Sequence, residues 1–276
     1  MVIVVGAGLV GLATALRLLE AQPGLAVTVL DKEPSVATHQ SGHNSGVIHR
    51  GITYPPGSLK AELCVQGVID TEAFAAAHAL PVLRCGKLIV ATTPAERARL
   101  DGLLERGVAN GVAGLEIVGP ERIREIEPRC AGVAALHSPG SAIVDFGLLA
   151  QAMRDDIRRL GGEVRLGAEV IGIEERPEGV VVRAGHDELR ADALVACAGL
   201  QSDRLADLGG VYRPDGVRIV PFRGDYFRLR PERAGWCRGL IYPVPDPDLP
   251  FLGVHLTRRV DGEVWLGPNA VLAFAR

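Results

Sequence analysis

Met1 to Leu16 reads MVIVVGAGLVGLATAL, and this stretch decides the fold. An apolar run leads into Gly6-Ala7-Gly8-Leu9-Val10-Gly11, and a helical pattern follows. A strand feeding a glycine-rich turn that opens a helix is the arrangement that grips a dinucleotide pyrophosphate. Gly6 permits the tight turn, Gly8 lets the backbone approach the phosphates, and Gly11 lets the helix pack closely on the strand. Free N–H groups at the helix N-terminus then face the two negative charges. A second strand, Ala26 to Leu30, ends in Asp31, twenty residues after Gly11. A ribose-binding carboxylate belongs at that distance. Glu33 takes the part if the strand ends later.

Bulk composition sets the outer bounds. The 276 residues are 47% hydrophobic and 23% charged, enough for one large α/β domain or two modest ones. Thirty basic residues stand against 33 acidic ones. No basic run is interleaved with aromatics, which argues against a nucleic-acid partner. Five cysteines (Cys64, Cys85, Cys130, Cys197, Cys237) are scattered without a CxxC pair. That pattern argues against a disulfide framework and against a zinc site, and it points to a reduced, cytoplasmic compartment with no metal. The apolar opening lacks a basic flank and is too short to span a bilayer, so it reads as fold rather than signal or anchor. Contact with the inner face of a membrane stays open.

Further along, Lys32 to Gly57 is an irregular stretch rich in Ser, Gly, His, Asn and Pro. A loop of that length in a compact domain is usually functional. Spacing predicts a helix from Ser58 to about His78 and a strand over Lys87 to Ala91. Thr93-Pro94-Ala95-Glu96 predicts a capping box with Pro at the first helical position. A short helix from Pro120 to about Ile126 and a longer one over Leu148 to Leu160 follow. Strands are expected near Val164, over Glu169 to Glu174 and over Val180 to Arg183, with Pro177-Glu178-Gly179 as a hairpin turn. Ala193 to Cys197 reads as a buried strand and Gln201 to Leu208 as a helix. Beyond Val217 the pattern is mostly strands, and Phe222, Tyr226, Phe227, Trp236, Tyr242, Phe251 and Trp265 crowd there. The expected fold is α/β, a Rossmann-like doubly wound domain with a mixed α+β substrate domain. The expected division is 1–80 with 145–212 for the cofactor, and 81–144 with 213–276 for the substrate.

The chain resembles the FAD-dependent L-2-hydroxyglutarate oxidase/dehydrogenase family, within the D-amino-acid-oxidase-like flavoproteins. The matching stretches are GAGLVGLATAL (Gly6–Leu16), HQSGHNSGVIHRGI (His39–Ile52), PPGSLKAELC (Pro55–Cys64), CGKLIVAT (Cys85–Thr92), PFRGDYFRL (Pro221–Leu229), IYPVPDPDLPFLGVHLTRRVDG (Ile241–Gly262) and GPNAVLAF (Gly267–Phe274). The resemblance implies FAD rather than NAD, a choice the glycine motif leaves open. It implies that Asp31, with Lys32 beside it, meets the adenosine ribose, and that Ser41, His43, Asn44, Ser45 and Gly46 line the pyrophosphate and flavin. The backbone of Val170 would meet the adenine, and Ala198-Gly199 would approach the cofactor from the other side. Family members continue beyond the position of Arg276, so the resemblance also implies a chain incomplete at its C-terminus.

A 2-hydroxy acid must lose a hydroxyl proton and a hydride, the latter to flavin N5. The site therefore needs a base near neutral pKa and cations for the carboxylates. Histidine suits the first task and arginine the second. The candidates are His255 and His49, either able to serve as the base, with His255 preferred for it and His49 as a flavin- or substrate-orienting group, Arg223 for a carboxylate, and Tyr226 in the pocket wall. Tyr242 and Arg258 stand behind them. Arg223 has a plainer alternative in a pair with Asp225 or Glu232. Arg50, beside His49, is expected to point away or to narrow the pocket. The remaining histidines read as structural or exposed. The expected reaction is oxidation of L-2-hydroxyglutarate to 2-oxoglutarate, with electrons passing to a quinone or to oxygen. The alternatives are an amine-oxidising enzyme of the glycine or sarcosine oxidase type, an inactive dinucleotide-binding fragment, and an NAD-dependent dehydrogenase.

Overall fold

A computed structural model describes residues 1–211, 217–248 and 253–274; Phe251 lies outside them. The chain divides into two compact units. The first comprises Met1–Asn44, Phe146–Pro221 and Leu272–Arg276, the second Ser45–Asp145 and Phe222–Val271.

The first unit is built on a parallel sheet with strands in the order Ala193–Ala196, Val2–Val5, Val27–Leu30, Glu163–Arg165. The two central strands are buried along nearly all their length, Val2–Val5 wholly apolar and Val27–Leu30 apolar but for Thr28, because both faces of a parallel sheet are covered. Ile3, Val4, Val29 and Leu30 are fully buried. Helix Leu9–Ala21 buries Leu12, Ala15, Leu16 and Leu19, a stripe at helical spacing, and packs along helix Phe146–Arg159. An antiparallel meander of Val170–Arg176, Gly179–Ala184 and Asp187–Ala191 completes the unit, with the hairpin turn where the sequence predicts it. Val182, Ala184 and Ala191 join Ile3, Val5, Leu30 and Leu205 in one core. The Ala193–Ala196 strand corrects one expectation: it is half exposed rather than buried. Among the described residues it pairs only with Val2–Val5, at the edge of its sheet, so its apolar run reflects β propensity more than burial.

The second unit carries a seven-stranded sheet in the order Phe227–Arg228, Val264–Gly267, His255–Arg258, Leu240–Pro243, Lys87–Ala91, Ala134–Ser138, Glu116–Val118. Leu240–Pro243 and Lys87–Ala91 run parallel, and the other five neighbouring pairs run antiparallel. A smaller sheet pairs Val47–Ile48 and Val82–Arg84 with Ala142–Val144. Helix Leu59–Ala77 starts at Ser58, whose hydroxyl accepts the Ala61 N–H. Helix Pro94–Ala109 starts with the Thr93/Glu96 capping box. The weak strands Glu116–Val118, Ala134–Ser138 and Ala142–Val144 carry no clear sequence signal, because cross-strand pairing rather than propensity forms them.

The units divide at 44/45, inside the segment expected to belong wholly to the cofactor domain. Residues 45–80 pack with the second unit for local reasons. Val47 and Ile48 pair with Ile143 and Ala142, and Asn110 Nδ2 donates to the carbonyls of Gly51 and Tyr54 at 2.8 and 2.9 Å. Among the described residues no helix is long and apolar enough to cross a membrane.

Candidate active site

In the first unit the glycine turn has the shape its motif demands. Gly6 has φ of +113°, and a Cβ there would lie 2.3 Å from the Cys197 carbonyl oxygen. A Cβ on Gly11 would lie 1.8 Å from the Gly6 carbonyl oxygen. Gly8 is open on its outer side except for Ser41, whose Oγ accepts the Leu9 N–H at 3.0 Å. Asp31 is locked to this turn: Oδ2 accepts the Ala7 N–H at 2.5 Å and Oδ1 the Glu33 N–H at 2.9 Å. Each oxygen keeps a lone pair for a ribose hydroxyl. Ala168 donates its N–H to the Asp31 carbonyl at 2.8 Å, which brings the start of the Val170 strand beside the acid. Gly199, with φ of +52°, neighbours Gln40. These residues fit a dinucleotide: a backbone cradle free of side chains, with a fixed carboxylate one strand away.

The loop residues are held in different ways. Asn44 Nδ2 donates to the carbonyls of Gln40 and Ser41, at 3.0 and 2.7 Å, and so shapes the loop. His43 is exposed, with Nδ1 3.1 Å from the His39 carbonyl oxygen. Lys32 pairs with Glu33 at 2.6 Å on the surface. Ser45 and Gly46 belong to the second unit.

In the second unit the strand registers gather the remaining chemistry. Leu240 lies opposite Lys87 on one side and Thr257 on the other, and Thr257 lies opposite Trp265. Side chains alternate along each strand, so Lys87, Tyr242, His255, Thr257 and Trp265 share one face of the sheet. Tyr242 stacks on His255 with ring centroids 3.9 Å apart and planes 15° from parallel. His49, just past strand Val47–Ile48, meets Tyr242 edge-on at 6.4 Å. Lys87 Nζ lies 5.0 Å from the Tyr242 ring centroid. Tyr226 tilts against Trp265 at 5.4 Å.

His255 is 4% exposed. Its Nδ1 lies 2.9 Å from the Gly253 carbonyl oxygen. A carbonyl only accepts, so Nδ1 carries the hydrogen and Nε2 the lone pair. That Nε2 is sealed from solvent and has no hydrogen-bond partner among the described residues, and the same holds for Tyr242 Oη and Thr257 Oγ1. Buried polar atoms are seldom left unpaired. Of the three, the Tyr242 and Thr257 hydroxyls are near enough to act on each other, which leaves His255 Nε2 as the atom most open to a polar ligand.

Burial, rather than any ion pair, sets the electrostatics of this face. It pulls the His49 imidazole down to about 4, with Lys87 and then His255 pushing the same way. It pulls the Lys87 ammonium down to about 8, opposed by Cys64. It lowers His255 as well, against the hydrogen bond to Gly253 and with help from Lys87. It pushes the Tyr242 phenol up, softened by the nearby Thr257 and Ser45 hydroxyls. No carboxylate acts on the three basic groups. At neutral pH the face therefore holds two neutral imidazoles and one lysine that keeps most of its charge.

Of the candidates read from sequence, His49 and His255 meet at Tyr242, and Tyr226 lies on the same face through Trp265. Arg223 does not join them. Its side chain is 66% exposed and forks onto Asp225 at 2.9 and 3.2 Å, the plainer alternative. Arg50 points away, donating to the Gly140 carbonyl at 2.8 Å with Glu72 at 3.9 Å. Arg258 alternates to the opposite side of the sheet from His255. A shallow cleft flanked by Ser45, Gly46, Asp145 and Arg259 lies in the same unit and includes none of Lys87, Tyr242 or His255. Sequence reasoning missed Lys87. Its signal was a lysine opening the otherwise apolar strand KLIVA, where a charge reads as a boundary rather than as core.

The family of FAD dependent oxidoreductases matches residues 1–275. The mitochondrial L-2-hydroxyglutarate dehydrogenase of Nematostella vectensis is 49% identical over all of this chain and 63% of its own length. The mitochondrial L-2-hydroxyglutarate dehydrogenase of Homo sapiens is 47% identical over all of the chain and 62% of its own length. The chain thus spans somewhat under two thirds of these relatives. Among solved structures, an FAD-bound L-alpha-glycerophosphate oxidase from Mycoplasma pneumoniae matches 99% of this chain and 72% of its own, with a TM-score of 0.86 and 26% identity. Glycine oxidase from Geobacillus kaustophilus matches the same share of each chain with a TM-score of 0.80; at 19% identity it speaks for the fold alone. A glycine cradle with its carboxylate, and a family match that runs from the first strand to the last, lead to one assignment: the chain belongs to the FAD dependent oxidoreductases.

Proposed function

We propose that this chain holds FAD in its first unit and oxidises L-2-hydroxyglutarate to 2-oxoglutarate on the sheet face of its second, with electrons passing on to a quinone or to oxygen. The work would be done in the cytoplasm, free or on the inner face of a membrane. The observation that carries the reading is the lone pair on His255 Nε2, buried, unpartnered and held in one tautomer by Gly253. FAD, when bound, supplies the acceptor for the hydride that leaves the carbinol carbon. Gly6, Gly8 and Gly11 let its pyrophosphate approach the backbone, Asp31 takes the ribose, and Val170 and Ala198-Gly199 flank it. Lys32, Ser41, His43, Asn44, Ser45 and Gly46 complete the cofactor contacts.

His255 takes the hydroxyl proton at Nε2. Its depressed basicity keeps that nitrogen unprotonated at neutral pH, as a base requires. Tyr242 fixes the plane of the His255 ring by stacking and, with Thr257, offers a hydroxyl to a substrate oxygen. His49 stays neutral down to about pH 4 and orients flavin or substrate without adding charge. Tyr226 walls the site beside Trp265. Lys87, a buried cation on which no carboxylate acts, favours an anionic substrate.

Anaerobic titration of the FAD-loaded chain tests the proposal. L-2-hydroxyglutarate should bleach the flavin. Bleaching by D-2-hydroxyglutarate or by glycine in its place would overturn the substrate assignment, and a colourless protein indifferent to added FAD would overturn the cofactor assignment.

A further inference from the structure

Of the 30 lysines and arginines in this chain, only three are lysine. Lys32 pairs with Glu33 at the surface, and Lys60 is exposed beside the Tyr54 ring. Lys87 is different. It is 6% exposed, it opens the fully buried strand Lys87–Ala91, and among the described residues it has no hydrogen bond or ion pair. The titratable groups acting in its surroundings are His49, His255, Cys64 and the Tyr242 phenol. None of them is an acid of the carboxylate kind. Burying an ammonium without an anion is costly, and a lysine kept only for packing is replaceable by an apolar side chain of the same length. The anion that offsets this charge must come from outside the described residues.

We infer that Lys87 anchors the substrate carboxylate remote from the reacting carbon, so that this sheet face selects a diacid over a monocarboxylate. The inference rests on the hydroxy-acid reading of the face given above. The spacing suits it. Lys87 and His255 stand on strands separated by Leu240–Pro243 and two residues apart in register, about 12 Å between backbones. With Tyr242 5.0 Å from Lys87 Nζ and 3.9 Å from the His255 ring, the ammonium and the imidazole lie within about 9 Å of each other. In a five-carbon 2-hydroxy diacid the carbinol carbon and the far carboxyl carbon are three bonds apart, about 4 Å. A hydrogen bond of about 2.8 Å at each end brings the span close to the separation of the two groups. Lysine also fits the task better than arginine here, because the proton affinity of its compact ammonium, lowered by burial, can rise again as the anion enters.

The test reads the lysine itself. With only three lysines, protein labelled at lysine Cε and loaded with FAD gives few NMR signals, and Lys87→Arg removes and so identifies one. In the unmodified protein that signal should titrate with a midpoint near 8. Saturating glutarate should raise the midpoint by a unit or more, a tenfold gain in proton affinity, while acetate at the same concentration leaves it within a few tenths. A midpoint unmoved by glutarate, a response at Lys32 or Lys60 instead, or an equal response to acetate would each overturn the inference. Flavin bleaching separates this from the activity. Bleaching by L-2-hydroxyglutarate without a glutarate response at Lys87 sinks the anchor alone. A glutarate response in a protein that L-2-hydroxyglutarate does not bleach leaves the anchor standing and sinks the reaction.

Discussion

Gly8 and Gly11 serve the same turn through different neighbours, so alanine should separate them. At Gly11 the new Cβ meets backbone at 1.8 Å, which forces helix Leu9–Ala21 off its strand. Gly11→Ala should lose about 3 kcal/mol or more of stability in a thermal or denaturant melt. At Gly8 the new methyl meets only Ser41 Oγ at 3.0 Å and the backbone is already extended. Gly8→Ala should melt within a few degrees of wild type and yet bind FAD at least tenfold more weakly by fluorescence titration. Lys87 yields a prediction of the opposite sign. Its folded value near 8 lies below the ordinary 10.5, so the unfolded chain holds the proton more tightly between those pH values and stability rises with pH across that window. Lys87→Met should therefore stabilise the ligand-free chain at pH 7 by about 1–3 kcal/mol, and the gain should fade between pH 8 and 10.5 in denaturant melts. At this scale the glycines and Asp31 were legible because motif spacing constrains them, whereas His49 and His255 became candidates only through the resemblance. Lys87 was not legible, because nothing in the local sequence tells a buried charge from an exposed one.

Elements are where the sequence speaks unevenly. The Thr93/Glu96 capping box announces its helix because cap chemistry is local. Ala134–Ser138 announces nothing, since only pairing with Lys87–Ala91 and Glu116–Val118 makes it a strand. Glu127 is another silent residue with a large structural part. It follows helix Pro120–Ile126, is 2% exposed, and its carboxylate accepts the N–H groups of Arg238 at 3.0 Å and Gly239 at 2.6 Å. Those two residues lead directly into Leu240–Pro243, the strand that carries Tyr242. Glu127→Ala should strand two backbone donors and cost about 3 kcal/mol in a urea melt. Glu127→Gln, which keeps one acceptor, should lose roughly half as much.

At the scale of the molecule, one βα turn near the start predicted a doubly wound domain, and the aromatic-rich end predicted a second, mixed one. Both kinds of architecture are present. The division at 44/45 was not legible, because Val47–Ile48 and the loop after them are tied to residues about 60 to 95 positions later by backbone pairing and by Asn110. The candidate site was half legible for the same reason. His49, Tyr242 and His255 are far apart in sequence and meet only through sheet register, whereas Arg223, an obvious cation on paper, is exposed and bound to Asp225. The central claim is that His255 Nε2 receives the proton of a 2-hydroxy acid. Asparagine at 255 keeps a donor for the Gly253 carbonyl and removes the basic nitrogen. The decisive measurement is the single-turnover rate of flavin bleaching by L-2-hydroxyglutarate in FAD-loaded His255→Asn and wild-type protein. The account predicts a loss of about 10²- to 10⁴-fold with FAD content unchanged; a variant bleached within a few-fold of the wild-type rate would contradict it.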